Sequence, residues 1–155
     1  MRRAYILLAF TAIMLTACTN TTNNSTLVND AASLPSSFNF GKMGFKVITS
    51  TINKKLGTMS TLYGNEPALK AAGTDSAIAG EVFALVTWKQ QADDHWFGAK
   101  IPANLLSVEY VKTDETGSSI SYQKFTGKNL VLSADTSNSQ ARIKYIFDQK
   151  PSVMP

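Results

Sequence analysis

Apolar and polar positions alternate, run together and break along this chain in a pattern that predicts its elements. Residues 45–50 read F-K-V-I-T-S, with the β-branched content of a strand. Lys54-Lys55-Leu56-Gly57 reads as a turn, and residues 58–63 read as a second strand. Asn65-Glu66-Pro67 starts a helix. The asparagine can cap it, and proline is tolerated in a first turn, where its missing N–H costs nothing. Leu69, Ala71 and Ala72 carry this short helix to Gly73. The strongest strand signal is residues 80–91, G-E-V-F-A-L-V-T-W-K-Q-Q. Its nearly continuous apolar centre predicts a strand inside the sheet with both faces covered. Val108, Tyr110 and Val111 support a strand over residues 105–113, and Asp114-Glu115-Thr116-Gly117 turns a hairpin into a partner strand over residues 118–125. A short strand follows at residues 130–132.

The C-terminal stretch carries two signals. Ala141, Ile143, Tyr145 and Phe147 alternate as a strand would, whereas Ser137 and Gln140 have capping-box spacing and Pro151 is a suitable stop. We read a helix over residues 138–149. The sum is an α+β fold: a single domain with an antiparallel sheet packed by two or more helices.

The amino-terminal end follows a different pattern. Arg2 and Arg3 precede an apolar run from Ala4 to Ala17, the charged and hydrophobic regions of an export signal. The run is shorter than the about twenty residues of a spanning helix. It ends at Leu15-Thr16-Ala17-Cys18, which resembles a bacterial lipobox. That resemblance implies cleavage before Cys18 and acylation of its thiol and new amine, which anchors the chain in a membrane. A multiply acylated cysteine meets the need for more than one buried chain in stable anchoring. Residue 19 is threonine, not the aspartate that commonly retains such proteins in the inner membrane, so the expected address is the periplasm, at the outer membrane. Residues 18–37, rich in Thr, Asn and Ser, read as a flexible tether, and residues 38–155 as the domain.

Charge and cysteine count then narrow the chemistry. The full chain of 155 residues carries +4; removal of residues 1–17 takes away Arg2 and Arg3 and leaves +2. That balance, with no basic stripe, argues against a nucleic-acid partner. Cys18 is the one cysteine, so the chain has no intrachain disulfide, no further thiol and no C-x-x-C-H for covalent haem.

The one histidine lies in V-T-W-K-Q-Q-A-D-D-H-W-F-G, residues 86–98, beside both tryptophans of the chain. Asp93, Asp94 and His95 offer oxygen and nitrogen ligands, but successive side chains of an extended segment point apart, so we expect no metal site. His95 is the sole imidazole for a hydrolase, and no G-x-S-x-G elbow accompanies it. Trp88, Trp96, Phe97 and Tyr110 are candidates for a sheet core or, with His95, for a cofactor pocket; core is the expectation. Ile101-Pro102 reads as a bend after the loop.

Leu62-Tyr63-Gly64-Asn65, then Ala68, then a G-x-x-x-A-x-V-x-W strand ending at Trp88, resembles the cytochrome P-460 family domain, as do W-F-G-A-K-I-P at 96–102 and R-I-K-Y-I at 142–146. The similarity spans residues 45–154. It implies an α+β fold with an antiparallel sheet, exported to the periplasm. Enzymatic members carry a c-type haem on C-x-x-C-H with an added lysine cross-link, and oxidise small nitrogen compounds such as hydroxylamine. This chain lacks that motif, so no haem ligand carries over and no cofactor is expected. The expectation is a non-catalytic envelope protein that binds a small ligand or an envelope partner. The alternatives are a redox protein holding haem non-covalently through His95, and a small hydrolase.

Overall fold

Each strand of this chain pairs with the next one in sequence. In the computed structural model, residues 28–74 and 77–152 are described; the segment read as an export signal and Cys18 lie outside them. The strands are β1 (Lys46–Asn53), β2 (Thr58–Gly64), β3 (Val82–Ala92), β4 (Lys100–Thr113), β5 (Ile120–Thr126) and β6 (Val131–Leu132). They form one antiparallel sheet in the order β1-β2-β3-β4-β5-β6. Among the described residues two helices accompany it, α1 (Glu66–Ala71) and α2 (Ser139–Phe147), with a 3-10 turn at Ser36–Phe38. No helix among the described residues is long and apolar enough to cross a membrane.

The apolar run in β3 is explained by its central place. Phe83 and Leu85 point to one face, where they meet Ile48, Leu62, Ala68, Val111 and Ile146. Ala84, Val86 and Trp88 point to the other, against Phe40, Leu105, Val108, Tyr110 and Leu130. Both helices cover the first face. The second is covered by the irregular segment from Asn29 to Phe45, here termed the strap.

The strap revises the expected tether. Of residues 18–37, those from Asn29 onward lie against the sheet. Ala32 and Leu34 pack on the core, the Leu105 N–H donates to the Ala31 carbonyl at 3.0 Å, and Trp88 Nε1 donates to the Ala32 carbonyl at 2.8 Å. Two backbone carbonyls and a few apolar side chains suffice, because their partners already stand ordered in the sheet.

At α1 the predicted cap is present and does more than capping. Asn65 Oδ1 accepts from the N–H groups of Ala68 at 3.1 Å and Val82 at 3.0 Å, while its Nδ2 donates to the Gly80 carbonyl at 2.8 Å. One side chain thus ties the helix start to the beginning of β3. At α2 the helix forms but the capping box does not. Asn138 occupies the cap position without a side-chain bond, and the Ser137 hydroxyl donates to Asp135 at 2.6 Å instead. The other difference is β4, which starts at Lys100 rather than Leu105. Pro102 pairs with Gln90 where β4 has run past β5, an edge on which proline is tolerated.

Candidate functional site

The strap does not lie flat on the sheet. Between it and strands β4 and β5 a cleft of about 600 Å³ remains open. Phe38, Phe45, Tyr110 and Phe125 line it, and Lys112 and Gln123 stand at its polar side. The alternation of a strand places these groups together. Tyr110 and Lys112 share a face of β4, and Gln123 and Phe125 share the matching face of β5, with Tyr110 opposite Gln123. The strap then contributes Phe38 through its 3-10 turn and Phe45 just before β1.

Ring geometry fixes the wall. Phe38 meets Phe125 edge-on at 5.2 Å between centroids and stacks near Tyr110 at 6.2 Å; Tyr110 and Phe125 meet edge-on at 6.0 Å. These are favoured arrangements for aromatic pairs, so the wall is held by its own contacts. The Lys112 ammonium lies 5.5 Å from the centre of the Tyr110 ring. Burial pushes the Tyr110 hydroxyl above its ordinary value, so it stays a neutral phenol and a donor at physiological pH. Size, apolar lining and a few polar groups match a small-molecule site, for which volumes of about 300–1,000 Å³ are usual.

Beneath α2, on the other face, sits a polar cluster of different character. Glu109 of β4 and Arg142 of α2 form an ion pair, and the Tyr122 hydroxyl lies between them. Burial, and then the Glu109 carboxylate, push Tyr122 up to about 12. Each group has a partner, so the cluster reads as a strut joining α2 to the sheet. A hollow of about 540 Å³ lies on this face as well, between Ala71, Phe83, Phe147 and Lys144, with the Lys144–Asp148 pair at its edge.

The residues singled out from the sequence do not converge. Trp88 is buried in the strap-side core, with 8% of its surface exposed. Trp96 is 72% exposed and Phe97 is fully exposed, both on the β3–β4 loop. The expectation that these aromatics form a common core therefore holds for Trp88 and Tyr110 and fails for Trp96 and Phe97. His95 stands on the same loop with its side chain 87% exposed. Its N–H donates to Asp93 Oδ1 at 2.8 Å, and its Nδ1 lies 3.4 Å from that oxygen. The loop is closed by the Asp93 N–H donating to the Ala99 carbonyl at 3.1 Å.

His95 lines neither the aromatic cleft nor the hollow under α2, and the cleft holds no histidine or cysteine. Among the described residues no three His, Cys, Asp or Glu side chains come together as a metal site would need. The cleft residues come from segments far apart in sequence, and only Tyr110 was a candidate beforehand. The one available signal was the phenylalanine-rich stretch S-F-N-F-G-K-M-G-F at 37–45. No family model matches the chain, and no curated protein matches it either.

Proposed function

We propose that this chain is a lipid-anchored protein of the cell envelope, fastened through Cys18 at the periplasmic side of the outer membrane, whose sheet domain binds a small ligand without transforming it. Its resemblance to the cytochrome P-460 domain belongs to this reading for fold and compartment only. The lipobox-like Leu15-Thr16-Ala17-Cys18 supports the anchor. The observation that carries the binding role is the cleft, a wall of four aromatic rings with one amine and two amides beside it. Its lining holds no histidine, cysteine or carboxylate. The ligand that suits these walls is a flat, largely apolar molecule bearing a carboxylate or carbonyl oxygen. Rings receive its body, and Lys112 with Gln123 receives the oxygen.

The experiment is a ligand screen of aromatic carboxylates read by thermal shift, repeated on Lys112→Met and Phe125→Ala. A rise in Tm that is weakened by both substitutions supports the reading. A rise that neither substitution alters places binding elsewhere and removes the cleft from the account. Added haem provides a second check: a stoichiometric Soret band lost in His95→Ala overturns the non-catalytic reading.

A further inference from the structure

In an antiparallel meander, alternate connections gather at one end. The β1–β2 turn, the β3–β4 loop and the β5–β6 turn share such an end here. Pairing of β2 with β3 stops at Thr58–Lys89, whereas β3 and β4 continue pairing to Ala92–Lys100. The Gln90 N–H still donates to the Gly57 carbonyl of the β1–β2 turn at 2.9 Å, and the β3–β4 hairpin continues two residues past it, or about 7 Å at the rise of a strand, before its loop begins.

That projecting loop carries Trp96 and Phe97 outward side by side. It is a built turn: the Asp93 N–H donates to the Ala99 carbonyl at 3.1 Å, the Ala99 N–H to the Trp96 carbonyl at 3.0 Å, and Gly98 takes a positive φ of 81°. Leu56, at the adjacent β1–β2 turn, is also exposed. Lone apolar residues on a surface need no explanation. A tryptophan and a phenylalanine exposed in succession at a hairpin tip are a different case. Around them, at the same end, stand Lys54, Lys55, Lys89, Lys100 and Lys128, against Asp30, Asp93 and Asp94.

The strap supplies the remaining observation. Asn29 Nδ2 donates to the Pro102 carbonyl at 2.9 Å, so the first described residues stand near the end that bears the loop. From Cys18 to Asn29 there are eleven residue steps, a reach of at most about 40 Å. An anchor at Cys18 would hold this end toward the bilayer.

We infer that the Trp96-Phe97 tip docks into the lipid interface of the anchoring membrane, with the surrounding lysines over anionic headgroups, and so fixes the orientation of the domain. This rests on the proposed anchor. Tryptophan is suited to that depth because its ring is apolar and its indole N–H seeks water or headgroup oxygens. The docking needs little affinity of its own, because the tether confines the tip near the surface at high effective concentration. The aromatic cleft runs from Val82, at the opposite end of β3, to Asn129 and Leu130 of the β5–β6 turn, and includes neither Trp96 nor Phe97.

The full chain, produced in a bacterial host and purified from its membranes, is reconstituted into phosphatidylethanolamine–phosphatidylglycerol vesicles with or without brominated acyl chains. Only Trp88 and Trp96 emit, and Trp88 is buried in the core. Docking predicts that bromine quenches the emission and that the loss disappears in Trp96→Phe; Phe97→Ser reduces it while retaining Trp96. Equal emission in both vesicle types, with the protein still sedimenting with lipid, overturns the docking and leaves the anchor standing. A blue shift that follows protein concentration and ignores bromine assigns the tip to a second copy of the chain, and also overturns it. Intact mass of the same sample tests the anchor separately: an unmodified Cys18 removes it whatever Trp96 does.

Discussion

Arg142 of α2 closes over Glu109 of β4, with its Nε and one terminal nitrogen each 2.9 Å from the same carboxylate oxygen. The Glu109 side chain is 5% exposed and that of Arg142 is 32% exposed. The pair therefore lies at the edge of the core rather than at its centre. Its value is in its completeness. Removing the arginine leaves a buried carboxylate under α2 without its ion-pair partner. Arg142→Ala is expected to destabilise the fold by about 2–4 kcal/mol, somewhat below the cost of breaking a fully buried pair because water reaches the guanidinium. Glu109→Gln with Arg142→Met restores part of the loss. Urea unfolding of the three variants measures both effects.

Gly64 and Asn65 carry the junction of β2 and α1 for separate reasons. A Cβ on Gly64 would meet Ile48 Cδ1 at 2.7 Å and Ala68 Cβ at 2.8 Å. The Ala68 methyl has no rotamer by which to yield, so Gly64→Ala forces β2 and α1 apart at a cost of about 1–3 kcal/mol. Asn65→Ala deletes two acceptor bonds and one donor bond. Asn65→Asp keeps the acceptors for Ala68 and Val82 and loses only the donor to Gly80. The expected stability order is wild type, then Asp, then Ala, with about 1–2 kcal/mol or more between the ends. Chemical denaturation with circular dichroism gives the order directly.

Glu81 confers a pH dependence of definite sign. Its side chain is buried at the start of β3, where Oε1 accepts from the Ile78 N–H at 2.7 Å and Oε2 from the Thr113 hydroxyl at 3.3 Å. Burial raises its proton affinity, and these two bonds only partly oppose that. The folded chain therefore binds this proton more tightly than the unfolded chain. Stability from Glu81 is present in full below 4.5 and declines as pH rises through the elevated folded value. Asp114 and Asp135, whose hydrogen bonds hold them below 3.8, act in the opposite sense and in a lower window. Glu81→Gln is expected to flatten the decline above pH 4.5 and leave the acid limb in place. Urea midpoints taken at half-unit pH steps separate the two.

Much of the sheet was legible because its signals are local. β-Branched strands, the Lys54–Gly57 turn, the Asp114–Gly117 hairpin and the Asn65 cap each depend on neighbours in sequence. The strap was not legible, because its residues are ordered by distant partners. Ala31 and Ala32 offer only backbone carbonyls, and nothing near them in sequence announces that Leu105 and Trp88 will supply the donors. The site was hidden for the same reason. Phe38, Phe45, Tyr110, Lys112 and Phe125 form no motif, and only the register of β4 with β5 and the path of the strap bring them together. Trp96 shows the converse difficulty: composition cannot tell a ring that fills a core from one held outside it.

Trp88 links these two levels, since its indole joins the most readable strand to the least readable segment. Trp88→Phe keeps an aromatic ring in the strap-side core but removes the donor to the Ala32 carbonyl. The lost bond and the smaller ring together are expected to cost about 1–3 kcal/mol. The effect should be concentrated in the strap. Leu105 donates its N–H to Ala31, the next carbonyl along, so that amide reports whether this segment stays docked. Hydrogen exchange at Leu105 is expected to accelerate more than exchange at Val86 or Val108, which lie in the sheet centre. If the strap forms the wall of a binding cleft through Phe38, a cleft ligand should bind Trp88→Phe more weakly and, when bound, slow Leu105 exchange again. Equal acceleration at all three amides would instead show a global loss of stability, with no separate motion of the strap.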